Sequence, residues 1–198
     1  MLQVRHLVKY FGGVKAVDGV SFEVRAGECV ALIGPNGAGK STCFACIAGQ
    51  HRLSGGEILW AGQRIDALAP ARRLQRGVAR TFQVAQTFEA LTVLQNLQLL
   101  MSAGRGLPAW NVLDRVSVEA ATQLLARVGL QQLAHADVLG LPYGAKKRLE
   151  LGIALAGLGE GAPADPRGQA PSIARPRLLL LDEPAAGLAE TERLELMQ

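Results

Sequence analysis

A chain of 198 residues with 49% hydrophobic and 19% charged residues can bury a good-sized core, which excludes a disordered polymer. Lys plus Arg outnumber Asp plus Glu by 21 to 17, too mild a surplus to dictate a nucleic-acid or anionic-membrane partner, and no apolar run approaches the roughly 20 residues that a membrane-spanning helix requires. Cys29, Cys43 and Cys46 are odd in number and sit among apolar residues, so they read as buried thiols rather than a disulfide framework; residues 1–6 lack the pattern of a secretory signal, and a cytoplasmic location is expected.

Residues 20–24 alternate apolar and polar side chains, the period of a half-buried strand, and Ala26-Gly27-Glu28 supplies a turn, so an antiparallel β lobe is expected to open the fold. Residues 29–33 are continuously apolar, which predicts a strand covered on both faces in a parallel sheet. A glycine-rich turn follows, and residues 41–48 predict a helix ended by Gly49. Residues 57–60, with Ala61-Gly62 behind them, read as another strand and turn of the lobe. Apolar spacing turns helical over 92–101 and again from Val118 through Ala121, Leu124 and Val128 to Gly129. Residues 157–171 are dense in Gly, Pro and Ala and predict a flexible surface loop. A second fully apolar strand is expected at 178–181, stopping at Asp182-Glu183-Pro184.

Gly34-Pro35-Asn36-Gly37-Ala38-Gly39-Lys40-Ser41 fits G-x-x-x-x-G-K-[ST] between an expected strand and an expected helix, the context that a phosphate loop requires. Its glycines let backbone N–H groups curl around phosphate oxygens, and the helix N-terminus adds partial positive charge. Lys40 can reach the β- and γ-phosphates, the Ser41 hydroxyl is placed to ligate Mg²⁺, and Thr42 can hydrogen-bond a nearby phosphate. Asp182, at the carboxyl end of an apolar strand, can hold the water ligands of that magnesium, and Glu183 can polarise a water for in-line attack on the γ-phosphate. Cys43 and Cys46 have C-x-x-C spacing but no second pair to complete a zinc site.

With these motifs in place, the chain resembles over almost its whole length the ATP-binding subunits of ABC transporters. The resemblance implies an α/β fold: a P-loop NTPase core of ABC type with an N-terminal antiparallel β lobe and an inserted α-helical lobe, truncated at its C-terminal end. The implied organisation is a single ATP-binding domain, with the β lobe and first part of the core in 1–83, the helical lobe and signature helix in 84–158, a flexible insertion in 159–176, and the Walker B strand and D-loop in 177–198. Phe11-Gly12-Gly13 resembles the A-loop, whose ring stacks on adenine, and Thr81-Phe82-Gln83 resembles the Q-loop, which implies that Gln83 contacts Mg²⁺ and the attacking water. Leu141-Pro142-Tyr143-Gly144-Ala145 is similar to the signature motif, which implies that Pro142, Tyr143 and Gly144 face ATP bound by a second subunit. The following Lys146, Lys147 and Arg148 read as a solvated face of the helix.

The strings Ala79-Arg80-Thr81-Phe82-Gln83-Val84, Pro142-Tyr143-Gly144 and Ala185-Ala186-Gly187-Leu188 look most like the subunit that serves branched-chain amino-acid importers, with urea importers as close rivals. This implies ATP and Mg²⁺ as ligands and a second ATP-binding subunit, identical or paralogous, as partner. It further implies membrane permease subunits, an indirect periplasmic solute-binding protein, no nucleic acid, and a place on the inner face of the bacterial membrane. Three departures stand out: Pro142 occupies the place of the commonest serine, Ala189 that of an acidic or amide residue, and no histidine follows Walker B. A nucleotide-binding fragment without turnover, and a soluble phosphate-loop enzyme, stay open as readings of the same residues.

Overall fold

The computed structural model describes residues 1–81, 87–103, 118–158 and 177–184. They fall into two units, Met1–Arg76 and Gly77–Gln198.

The first unit is built on one antiparallel sheet. Strands β1 (Leu2–Phe11) and β2 (Val14–Val24) form a hairpin closed by Gly12 and Gly13, and Gly12 takes the positive φ of 55° that the tight reversal needs. The far edge of β1 pairs with β3 (Gly55–Trp60), which turns through Ala61 and Gly62 into β4 (Gln63–Arg64), so the order is β2-β1-β3-β4. Period-two alternation buries Leu2 and Val4 on β1 and Ile58 and Trp60 on β3, an irregularity between Val4 and Leu7 brings Leu7 into the buried set, and Arg5 and Glu57 pair on the outer face at 3.0 Å. Helix α1 (Lys40–Ala48) adds Cys43, Ala45, Cys46 and Ile47 to the buried set. A short α2 (Pro70–Gln75) starts on proline, whose missing N–H costs nothing in a first turn.

The second unit joins β5 (Val78–Arg80) and β6 (Leu178–Leu180) as a parallel pair, Val78 opposite Leu178 and Arg80 opposite Leu180. Among the described residues, the long connection that parallel strands require carries three α-helices: α3 (Val93–Ala103), α4 (Val118–Arg127) and α5 (Tyr143–Gly157). Thr92 and Gln95 cap α3 reciprocally, with Gln95 N–H donating to Thr92 Oγ1 and Thr92 N–H to Gln95 Oε1. Val93, Leu97, Met101, Ala121, Leu124, Leu125, Leu130 and Leu149 form the helical core, and each large apolar side chain buried this way contributes about 2 kcal/mol. Gly152 on α5 permits the close approach of α3, since a Cβ there would lie 3.2 Å from Leu97 Cδ2. Among the described residues no helix is long and apolar enough to cross a membrane.

The helices at 41–48, 92–101 and 118–128 stand where the sequence places them, to within two residues of the observed ends; the antiparallel lobe is present, but β2 begins six residues before the expected 20–24 and β1 was not among the expected strands. The apolar run 29–33 does not: it has no strand geometry, and Val30 and Ile33 are 50% and 90% exposed. Hydrophobicity asks for cover, whereas a strand also needs a neighbouring backbone to take its N–H and C=O groups. The same segment corrects the reading of Cys29, which is exposed, while Cys43 and Cys46 are buried as expected. The expected strand at 178–181 ends one residue early, with Leu181 39% exposed. Lys147 is a further correction: it is buried and paired with Glu150 at 3.1 Å rather than solvated. The segments 159–176 and 185–198, with the D-loop residues Ala186, Gly187, Leu188 and Ala189, lie outside the described residues.

Candidate functional site

The phosphate loop occupies residues 34–41 of the first unit and runs into α1. Gly37 and Gly39 take φ of 82° and 83°, and a Cβ at Gly39 would run into the Ala16 carbonyl oxygen, so this loop tolerates no side chain at that point. Pro35 O accepts from Ala38 N–H at 3.2 Å and Gly39 O from Cys43 N–H at 2.8 Å, which fixes the turn against the first turn of the helix. Gly39 is the N-cap residue, and no side chain caps the helix. The first N–H groups of α1 are thereby aimed along the helix axis at the loop, with the positive end of the helix dipole behind them. The Lys40 ammonium lies in the same concavity, donating to the carbonyls of Gly34 at 2.8 Å and Pro35 at 2.9 Å. Ser41 is exposed and Thr42 half-buried on the opening turn.

The far end of α1 is held as firmly. Gly49 closes it at φ 87°, and Arg73, 1% exposed, donates to Cys46 O at 2.7 Å, Ile47 O at 2.8 Å, Asp66 O at 2.9 Å and Leu68 O at 2.9 Å. Burial pulls this guanidinium below its ordinary value, and the four carbonyls keep it satisfied. Burial, helped by the neighbouring Cys46, pushes the Cys43 thiol up to about 12, so the C-x-x-C pair is packing rather than reactive chemistry.

Phe11 ends β1 with its ring 43% exposed. The ring meets His51 edge to face at 5.0 Å, and Lys9 Nζ lies 4.8 Å from its centroid. An aromatic surface is thus presented by a rigid strand end.

In the second unit, β6 delivers Asp182 buried and Glu183 exposed. Asp182 Oδ2 accepts from Arg80 Nη2 at 2.6 Å, and its backbone N–H donates to Thr81 Oγ1 at 3.2 Å. Glu183 has φ 48°, the left-handed region that a residue with a Cβ enters at a cost of order 1–3 kcal/mol. On α5, Pro142 is the N-cap with φ −55°, Tyr143 is exposed and Gly144 is buried, again with no side-chain cap. Gln83 lies outside the described residues. The local sequence singles out neither Arg73 nor the contact of Arg80 with Asp182, because one guanidinium serves carbonyls 26 and 27 residues away and the other a carboxylate 102 residues away.

Taken unit by unit, the Ser41 hydroxyl of the first and the Asp182 carboxylate of the second are each an oxygen donor of the kind that Mg²⁺ takes alongside water and phosphate.

A family model described as ABC transporter matches residues 17–158. The chain is 36% identical to the high-affinity branched-chain amino acid transport ATP-binding protein LivG of Salmonella typhimurium, over 99% of this chain and 74% of that protein. It is 35% identical to the BraF protein of the same description in Pseudomonas aeruginosa, over 97% and 72%. A solved nucleotide-free ATP-binding cassette from an ABC transporter matches at TM-score 0.76 and 31% identity, over 98% of this chain and 73% of that one. A dimeric cassette in a post-hydrolysis state bound to ADP and Pi matches at TM-score 0.77 and 24% identity, over 100% and 80%, and speaks for the fold alone. The matched span runs from β2 past the end of α5 and takes in both the phosphate loop and the turn before α5. With a P-loop NTPase fold of this type and relatives above 30% identity across nearly its whole length, the chain belongs to the ABC transporter ATP-binding family.

Proposed function

We propose that this subunit binds MgATP and hydrolyses it to power the import of branched-chain amino acids through partner permeases. The observation that carries the reading is the phosphate loop: two glycines at positive φ, an uncapped helix N-terminus and the Lys40 ammonium, folded back on the carbonyls of Gly34 and Pro35, occur in one loop. The solute class is supported by the identity to LivG and BraF.

The roles follow from charge and reach. The backbone of Gly34, Pro35, Asn36, Gly37, Ala38 and Gly39 wraps the β-phosphate, and Lys40 exchanges its two carbonyl partners for phosphate oxygens. Thr42 adds a hydrogen bond to phosphate, and Phe11 offers its ring to adenine. Ser41, Gln83 and Asp182 hold Mg²⁺ directly or through water; when bound, the metal neutralises charge on the β- and γ-phosphate oxygens. Glu183 accepts a proton from the attacking water as its oxygen bonds to the γ-phosphorus and the bond to the β–γ bridging oxygen breaks, leaving ADP and phosphate. Pro142, Tyr143 and Gly144 face the nucleotide of a second ATP-binding subunit, so two copies or paralogues work head to tail on the cytoplasmic face of a membrane.

Single-turnover hydrolysis by this chain, with ATP binding measured in parallel, tests the reading. Lys40→Ala removes charge-assisted bonds worth about 3 kcal/mol together and is expected to weaken ATP binding about 100-fold. Glu183→Gln is expected to keep binding while slowing hydrolysis by about 100-fold or more. Failure of the unaltered chain to bind ATP would overturn the proposal; hydrolysis indifferent to Glu183→Gln would remove that residue as the base.

A further inference from the structure

Asp182 is not positioned by β6 alone. At the end of the parallel pair, Thr81 N–H donates to Leu180 O at 2.9 Å, and Asp182 N–H returns a bond to Thr81 Oγ1 at 3.2 Å. The residue before Thr81 supplies the guanidinium that holds the carboxylate, Nη2 to Oδ2 at 2.6 Å, with side chains only 9% and 5% exposed. Arg80, the last residue of β5, and Thr81, the residue after it, therefore grip Asp182, two residues beyond the end of β6, at two points: Thr81 fixes the main chain and Arg80 the carboxylate. A charge-assisted bond so short and so shielded from water is directional as well as strong. It selects one orientation of the carboxylate and compensates its charge, which a carboxylate buried to this degree requires.

We propose that Arg80 is a positioning residue for metal-dependent nucleotide binding: it holds the Asp182 carboxylate in the orientation that orders the water ligands of Mg²⁺, and so sets how far Mg²⁺ tightens ATP binding. The inference rests on the reading of Asp182 as the carboxylate that serves the metal, and it assigns to Arg80 a part that neither the phosphate loop nor the Asp-Glu motif contains. Charge and orientation are separable here, because lysine keeps the first and lacks the planar fork that supplies the second.

The test is the Mg²⁺ response, defined as the affinity of the full chain for a fluorescent ATP analogue in Mg²⁺ divided by its affinity in EDTA. Arg80→Met is expected to lower that response about tenfold while leaving the EDTA affinity unchanged, and Arg80→Lys to lower it about threefold. Asp182→Asn is expected to lower it as well, and the double variant Arg80→Met/Asp182→Asn to lose no more than Asp182→Asn alone, since both act through one contact. Circular dichroism reports whether each variant folds; if Arg80→Met does not, Arg80→Lys decides, and an unchanged response overturns the proposal. An Arg80 variant that weakens binding equally in Mg²⁺ and EDTA shows a merely structural role and also overturns it. If Asp182→Asn leaves the response intact, the reading of Asp182 fails and the role of Arg80 falls with it. If Asp182→Asn lowers the response and the Arg80 variants do not, only the role of Arg80 fails.

Discussion

Helices α1 and α5 both open without a side-chain cap, yet they are held by different means. α1 is fixed through backbone polarity at its two ends. Left-handed glycines begin and close it, and Arg73 gathers the carbonyls of Cys46 and Ile47 with those of Asp66 and Leu68. α5 is fixed through its length by apolar packing, with Ala145, Leu149 and Ala156 in the helical core and Gly152 against Leu97. Hydrogen bonds are directional and packing is not, so α1 is located along its axis as well as laterally. If α1 binds phosphate as proposed, its first turn must meet phosphate oxygens within a few tenths of an ångström and needs the former; if α5 presents its first turn to a second subunit as proposed, the latter serves it.

Three substitutions put the contrast at risk. Arg73→Met is expected to cost the most stability, roughly 3 kcal/mol in denaturant unfolding, because it strips buried carbonyls of a charged donor. A loss below about 1 kcal/mol would show that α1 is held by packing after all. Gly39→Ala places a Cβ against the Ala16 carbonyl at φ 83° and is expected to cost about 2 kcal/mol, with ATP affinity falling alongside. Equal stability with lowered affinity would confine the role of this glycine to the ligand. Pro142→Ser at the matching position of α5 is expected to change stability by less than about 0.5 kcal/mol. A serine N-cap gains a hydrogen bond to the first turn, while removal of proline frees the unfolded chain, and the two effects oppose each other.

The contrast also explains what could be read from the amino-acid order. The helices at 92–101 and 118–128 were legible because a core-facing stripe repeats at helical spacing, and the phosphate loop because its glycines, lysine and serine must be adjacent to act together. The strand at 178–180 and the run at 29–33 look alike as strings, and among the described residues only the former has a partner strand. Lys147 was read as solvated from the run of charge at 146–148, although Glu150, one helical turn along, is the carboxylate that makes its burial tolerable. Arg73 and Arg80 were silent for a different reason. The carboxylate partner of Arg80 and two of the four partners of Arg73 are remote in sequence, and all four of the latter are backbone carbonyls, which every residue has and no sequence advertises.

The φ of 48° at Glu183 sets two kinds of selection against each other. Glycine would hold that backbone at little cost and asparagine at less than glutamate, so a library screened for heat resistance alone should drift toward those residues and lose the carboxylate. A glutamate in that conformation carries, at a single residue of the main chain, a folding cost that glycine would not.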